Sequence, residues 1–482
     1  MMQFFFSPPR VGHLAPIALL CAMLGSSAPA ADAAADRAKE LEKRVEQETQ
    51  RSKELEKLVE DTGIYTETAK TGVKLGGWVN ASYSYNLNGG ATDSGLNGTP
   101  ITTPVDIEDS NDFSVNSVRI ILEKALPEEN TWAAGFRVDM VFGEDQKWGF
   151  DNDPGIGDGS GPMSLEFAYV TFRAPVGNGL DFQVGKWMAL LGYEYTDRAL
   201  NDNFSSGLLA WFLEPATHTG ILMTYPVNDR LTVNFGIANG WNNSDSDFLD
   251  NNENGDDAPS DWAKLVTGSV NLTNPGENAS LTLGAAYSFE GEGYFGNVSN
   301  GTIDGSDTAS ENAGILALNV NGTWQPVFAK GKLQLAFNAD LVKATDNLHR
   351  TAGDPAFDQD ENAATAWGIG LYAKYQLTDV LYLASRGEYM HADDGTLGFA
   401  DGLVFDGPSA SIDRNEVYVS NTDLWSYTLT AGLDLCDSMR LRLEYRLDAV
   451  SSDGGHDGEA NLFDNNQSTQ HSFSIDASYM FW

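Results

Sequence analysis

Cysteine is nearly missing from this chain: two occur among 482 residues, too few for a disulfide framework or a cysteine-based zinc site. Basic residues are also few, with 29 Lys and Arg against 69 Asp and Glu and a formal net charge of −40. Nucleic-acid binding, which needs a basic footprint, is thereby disfavoured. The six histidines, His13, His218, His349, His391, His456 and His471, are scattered without metal-ligand spacing. No GxSxG or P-loop occurs, and no Ser/His/acid set is brought together by alternation, so the chain does not read as an enzyme. Beyond the N-terminus no run of roughly 18 apolar residues exists, which excludes a membrane-spanning helix but not membrane-spanning strands, whose alternation averages out. With 41% hydrophobic and 11% aromatic residues the chain is not a disordered acidic tail.

Residues 1–30 have the form of a secretory signal. Arg10 supplies charge, Leu14 to Leu24 a short apolar core, and Ala28-Pro29-Ala30 a small-residue cleavage site. Cys21 follows Leu20, where a lipoprotein signal wants a small residue, so Cys436 is the only cysteine expected after cleavage. Residues 31–62 contain no Gly or Pro, and Leu41, Val45, Leu55 and Val59 fall on heptad seam positions. Glu48 and Ser52 interrupt the seam, and Glu40 and Arg44 can pair one turn apart. A short N-terminal helix or coiled coil is expected there, either assembling subunits or reaching toward the cell wall, or serving as a solvated spacer. Residues 63–71 form a linker to a domain over 72–482.

In that domain the period becomes two. In 439–448, Met439, Leu441, Leu443, Tyr445 and Leu447 alternate with Arg440, Arg442, Glu444, Arg446 and Asp448, giving a strand with one apolar and one charged face. The pattern recurs at 132–140, 281–289, 333–341, 425–433 and 472–481. Short turns such as ValAsnAspArg at 227–230 and AsnProGlyGluAsn at 274–278 alternate with long acidic loops near 88–112, 144–162, 196–216, 242–261, 291–311, 346–363, 393–423 and 451–468. That alternation predicts an all-β transmembrane antiparallel barrel of about 16 strands, with 14 to 18 compatible, starting near 73, 113, 131, 163, 180, 217, 231, 262, 279, 312, 332, 364, 380, 424, 439 and 469. A soluble sandwich would not sort its loops by length onto opposite ends. Trp78, Tyr83, Tyr85, Trp132, Phe136, Tyr169, Phe172, Tyr479 and Phe481 lie near predicted strand ends and suit interfacial girdles.

The segment GlyLysTrpMetAlaLeuLeuGlyTyrGlu at 185–194, followed by Asn203-Phe204-Ser205, Pro215 and His218-Thr219-Gly220, resembles the OmpL-like family of outer-membrane β-barrel porins, over about 72–482. The resemblance implies a passive diffusion channel for small hydrophilic solutes in the bacterial outer membrane. The implied partners are outer-membrane lipid or lipopolysaccharide, the barrel-assembly machinery, and further copies in a homo-oligomer, a trimer being one form. One departure stands out: the terminal apolar ladder ends at Phe481, and Trp482 adds a residue in the opposite phase.

Alternation places Arg119, Glu123, Arg137, Asp139, Arg386, Glu388, Arg440, Arg442, Glu444, Arg446 and Asp448 toward the lumen as pore-lining or constriction candidates. Facing charges of opposite sign would set up a transverse field; alternatively they simply satisfy one another on a wet wall. The loop at 196–216 carries Asp197, Arg198 and Asp202, then LeuLeuAlaTrpPheLeu at 208–213. Six exposed apolar residues would be costly, so this run is expected either to pack against the inner wall as a constriction loop, the favoured reading, or to begin the next strand. Acidic loops predict mild cation preference. Residues 250–261 fit some calcium-loop positions, but Pro259 breaks the pattern, so no resident cofactor is expected beyond divalent cations, such as calcium, at the outer loops. Two other functions compete: a structural tether acting through the N-terminal helix, and a substrate-specific channel for an oligosaccharide or an anion.

Overall fold

The computed structural model describes residues 72–87, 112–143, 145, 163–240, 264–289, 314–344, 365–392, 422–452 and 468–481. The signal peptide, the 31–62 helical segment, the linker, the calcium-like loop at 250–261 and Trp482 lie outside the described residues. Sixteen strands are present: β1 (Lys74–Asn86), β2 (Asp112–Lys124), β3 (Ala133–Phe142), β4 (Met163–Ala174), β5 (Leu180–Met188), β6 (Thr217–Asn228), β7 (Leu231–Ala238), β8 (Leu265–Thr273), β9 (Ala279–Ser288), β10 (Ile315–Trp324), β11 (Leu333–Ala344), β12 (Thr365–Gln376), β13 (Leu381–Ala392), β14 (Thr422–Cys436), β15 (Met439–Ser452) and β16 (Thr469–Phe481). Each starts within three residues of its predicted position. Every strand pairs antiparallel with its sequence neighbours, and β1 closes the barrel on β16, from Gly77 opposite Phe481 to Asn86 opposite Ser472. Closure leaves no sheet edge, which is what permits strands to cross lipid.

The two faces follow the period of two. On β14, Ser426, Thr428 and Thr430 are buried in the interior while Trp425, Tyr427 and Leu429 are exposed outside. On β15 the charged face, Arg442, Glu444, Arg446 and Asp448, is the buried one, and Leu443 is 53% exposed. A charged interior under an exposed apolar exterior inverts a soluble protein, and such a band is stable only against lipid. Replacing Leu443 by Arg in mid-strand is expected to cost about 2–4 kcal/mol in urea unfolding from lipid, whereas the same change at Leu435, beside the β14–β15 turn, costs about 0–1.

Besides register shifts beside two hairpin turns, at Pro226/Asn228 and Asp434/Cys436, two β-bulges inside the strands shift the phase. One adds Asn116 to β2, between the partners of Asn80 and Ala81; the other adds Glu166 to β4, between the partners of Asp139 and Met140. Beyond the second bulge, Phe167 and Tyr169 share rows with Asp139 and Arg137. Tyr169 therefore faces the interior rather than an interfacial girdle. Trp78 is likewise corrected: it lies on the face of Asn80 and Ser82, is 1% exposed, and has the Arg119 guanidinium 4.9 Å from its ring. Trp132, Tyr85, Phe172, Tyr479 and Phe481 are exposed, as a girdle requires.

Candidate functional site: a loop folded into the barrel

The longest described connection, 189–216, does not stay outside. Its start differs from the predicted 196 because β5 ends at Met188; the apolar run Ala189-Leu190-Leu191 continues as interior packing rather than as strand. The Ala189 amide donates to Ala216 O at 3.0 Å and pinches the root. Two glycines of the 185–194 motif shape the entry. Gly185 (φ 130°) lies against the Ala168 carbonyl, and Gly192 (φ 101°) has the Glu214 carboxylate where a β-carbon would stand. The loop then forms a 3-10 turn, Arg198–Leu200, and a short helix α1, Leu208–Phe212.

Inside a barrel, loop amides and carbonyls cannot rely on bulk water and must find partners. The wall supplies them from charged side chains. Arg442 Nη1 donates to the carbonyls of Arg198 (2.8 Å), Asn201 (2.8 Å) and Asn203 (3.1 Å), while its Nε and Nη2 hold Asp476 at 2.7 and 2.8 Å. Glu444 accepts from the amides of Phe204 (2.6 Å) and Ser205 (2.9 Å) and from the Thr430 hydroxyl (2.7 Å). Arg386 donates to Ser205 O (2.6 Å), Ser206 O (3.1 Å) and Glu194 (2.6 Å). Arg446 donates to Ser206 O at 2.6 Å and pairs with Asp448 at 2.9 Å. Glu388 caps α1 through the Leu208 amide at 3.0 Å and pairs with Arg386 at 3.0 Å. Charge-assisted bonds of this kind are about twice as strong as neutral ones.

The apolar half of the loop is held differently. Leu208, Leu209 and Leu213 are at most 1% exposed and join Trp187, Leu191 and inward-facing wall residues including Leu265, Ile315, Val342, Met390 and Leu424 in one cluster. These wall residues lie toward the long-loop ends of their strands, so that part of the inner wall is apolar. The expectation that 208–213 packs inside is met. His218, at the start of β6, is buried edge-on to the Trp187 ring at 5.1 Å.

Each sequence-selected residue faces the interior, and the structure divides them. Arg386, Glu388, Arg442, Glu444, Arg446 and Asp448 are buried and grip the loop or one another. Arg119 is buried against Asp139 (3.3 Å) and against Asp197 of the loop. Arg137 reaches Asp139 at 2.8 Å and Glu123 at 3.7 Å, and keeps part of its surface open, as does Glu123. Asp202 projects from the loop to Lys374 at 2.6 Å, and the Lys374 ammonium lies 4.4 Å from the Tyr382 ring; Arg440, 5.5 Å from the same ring, pairs with Asp434 at 2.7 Å. This cluster also stays partly open.

Lys374, Asp476, Glu194, Glu214 and Asp340 are site residues that the candidate set lacks. Asp476, Asp340 and Lys374 share the inward parity of their strands and could have been found by extending the alternation; Glu194 and Glu214 are on the loop, where no period applies. Burial, with Asp340 beside it, holds the Glu214 carboxyl well above the usual carboxylate range, and burial pushes the Tyr193 hydroxyl up to about 12.

The profile of the family described as "Putative beta-barrel porin-2, OmpL-like" matches residues 72–481. No curated protein matches. Among solved structures, the outer membrane channel DcaP of Acinetobacter baumannii is similar at 12% identity and TM-score 0.52, covering 85% of this chain and 97% of that one. OprB of Pseudomonas putida is similar at 11% identity and TM-score 0.51, covering 87% and 97%. OmpT of Vibrio cholerae, solved in a trimer form, is similar at 13% identity and TM-score 0.50, covering 85% and 99%. Identities this low carry the fold.

Proposed function

Because the chain belongs to the OmpL-like β-barrel porins, channel-type barrels of the bacterial outer membrane, we propose that it is a passive diffusion porin for small hydrophilic solutes with a mild preference for cations. One observation carries the cation preference. Among the described residues, in four lumenal ion pairs with both partners partly open to water the carboxylate is the more exposed member: Glu123 31% against Arg137 24%, Asp181 24% against Arg173 16%, Asp202 27% against Lys374 24%, and Asp434 34% against Arg440 14%. A permeating ion therefore meets the negative partner of each pair first, and a cation is concentrated there. The strongly charged arginines of the ladder contribute less, because the loop and their own carboxylates enclose them.

We further infer that the barrel works as a homo-oligomer, a trimer being the form that the OmpT neighbour supports. The test is a planar-bilayer recording of the purified protein. Conductance in symmetric salt is expected, with a reversal potential in a salt gradient on the cation-selective side. Asp202→Asn should move that potential toward zero. A folded barrel without conductance would refute the porin reading, and an anion-selective potential would refute the charge argument.

A further inference from the structure

Nearly every lumenal carboxylate described above has a cation or a main-chain amide to neutralise it. Asp139, Asp197, Asp202, Glu194, Glu388, Asp434, Asp448 and Asp476 each touch an arginine or lysine, and Glu444 caps two loop amides. Glu214 and Asp340 have neither. Glu214 closes the exit of the folded-in loop, directly before Pro215 and the start of β6, and Asp340 stands on β11. Both are more than nine-tenths buried.

Their partners are side-chain amides. Asn338 Nδ2 donates to Glu214 at 2.6 Å and to Asp340 at 3.0 Å, and Asn319 Nδ2 donates to Asp340 at 2.6 Å. Asn321 Nδ2 donates to Gly192 O, tying the entry of the loop to the same group. The single Asn338 amide nitrogen thus bridges the two carboxyls and holds them close together. Two ionised carboxylates gathered on one buried amide, with no cation beside them, repel each other, so the arrangement is favourable while the pair holds a proton.

The surroundings offer no substitute for that proton. Glu194 on the loop and Glu388 on β13 add negative charge. The guanidinium of Arg386, also on β13, is already committed to Glu194 and Glu388. From β12 comes only the Tyr372 hydroxyl, buried, without a hydrogen-bond partner, and within electrostatic reach of Glu194, Glu214 and Glu388. The amides turn their N–H groups toward the carboxylates. A bound cation would call for their oxygens instead, so the arrangement suits a proton.

We propose that Glu214 and Asp340 form a proton-linked latch that fastens the exit of the constriction loop to β11 and releases it at alkaline pH. The sign follows from the charge that the buried pair carries. A proton held on the pair stabilises the latched loop at neutral and acidic pH, and that stabilisation is lost as pH rises and both carboxyls ionise close together in a buried site. Release frees the segment 207–216, whose apolar cluster and Glu388 cap remain.

The channel aspect rests on the porin reading, so the test has one readout that needs no conduction. Amide hydrogen exchange over 207–216, corrected for the intrinsic pH dependence of exchange, should accelerate about tenfold between about pH 7 and pH 10, as two like charges come to share one buried site. Bilayer conductance should rise over the same interval. In Glu214→Gln the pair cannot carry two charges at any pH, and both profiles should be flat; Asp340→Asn tests the same pair from the wall side. Heat-modifiable gel mobility establishes that each variant is folded. Wild-type exchange without a pH step, or a step that survives in either folded variant, overturns the latch. So does a step that moves with sodium or calcium concentration at fixed pH, which would make the ligand a cation. An exchange step in a barrel that never conducts would uphold the latch and refute the porin reading instead.

Discussion

Deleting residues 199–207 is expected to raise the single-channel conductance severalfold and to weaken ion selectivity. The excised segment supplies the carbonyls of Asn201, Asn203, Ser205 and Ser206 and the amides of Phe204 and Ser205, which are the loop groups held by Arg442, Arg386, Arg446 and Glu444. It also removes Asp202, the loop partner of Lys374. A 16-stranded barrel is wide enough to leave an aqueous bore, and what narrows it here is this inserted chain. With the segment gone, water enters beside the ladder, whose arginines keep their wall carboxylates Asp476, Asp448 and Glu388. The barrel should therefore still fold and show heat-modifiable mobility. Single-channel recordings decide the matter: a deletion variant with wild-type conductance would mean that the loop does not limit flow.

The frame of this protein was legible because lipid and lumen enforce a strict period of two. Met439 to Asp448 could be divided into faces by inspection, and the turns at 227–230 and 274–278 lie where hairpins occur. The inserted loop was legible for a different reason, since Leu208 to Leu213 had nowhere apolar to go outside. The phase of β4 after Glu166 could not be read. A bulge is one extra residue with no compositional mark, and it sent Tyr169 inward. The partners of the ladder were also hidden. Alternation places Arg442 inside, yet it does not say that three carbonyls some 240 residues away meet it there. Charges that resemble a pore lining in one dimension thus become, in three, the fastenings of a loop, and the charges left facing water include Lys374 and Asp434, which carry no motif.

Arg442→Ala should be the most destabilising single substitution in the lumen. The guanidinium is fully buried and makes five hydrogen bonds, two to Asp476 and three to the carbonyls of Arg198, Asn201 and Asn203. Its removal leaves a buried carboxylate uncompensated, which typically costs about 3–5 kcal/mol, and it orphans loop carbonyls as well. The Phe204 ring, 5.7 Å from the Arg442 guanidinium, loses that contact too. Lysine should restore only part of the loss, because a single ammonium cannot hold both oxygens of Asp476 and also reach the loop carbonyls. Arg442→Ala combined with Asp476→Ala should be less damaging than Arg442→Ala alone, since the stranded charge is then absent. Urea unfolding in lipid measures the cost, and hydrogen exchange over 198–205 locates it. If Arg442→Ala unfolds at the wild-type urea midpoint, the ladder does not fasten the loop, and its arginines would have to be reconsidered as part of the conduction path.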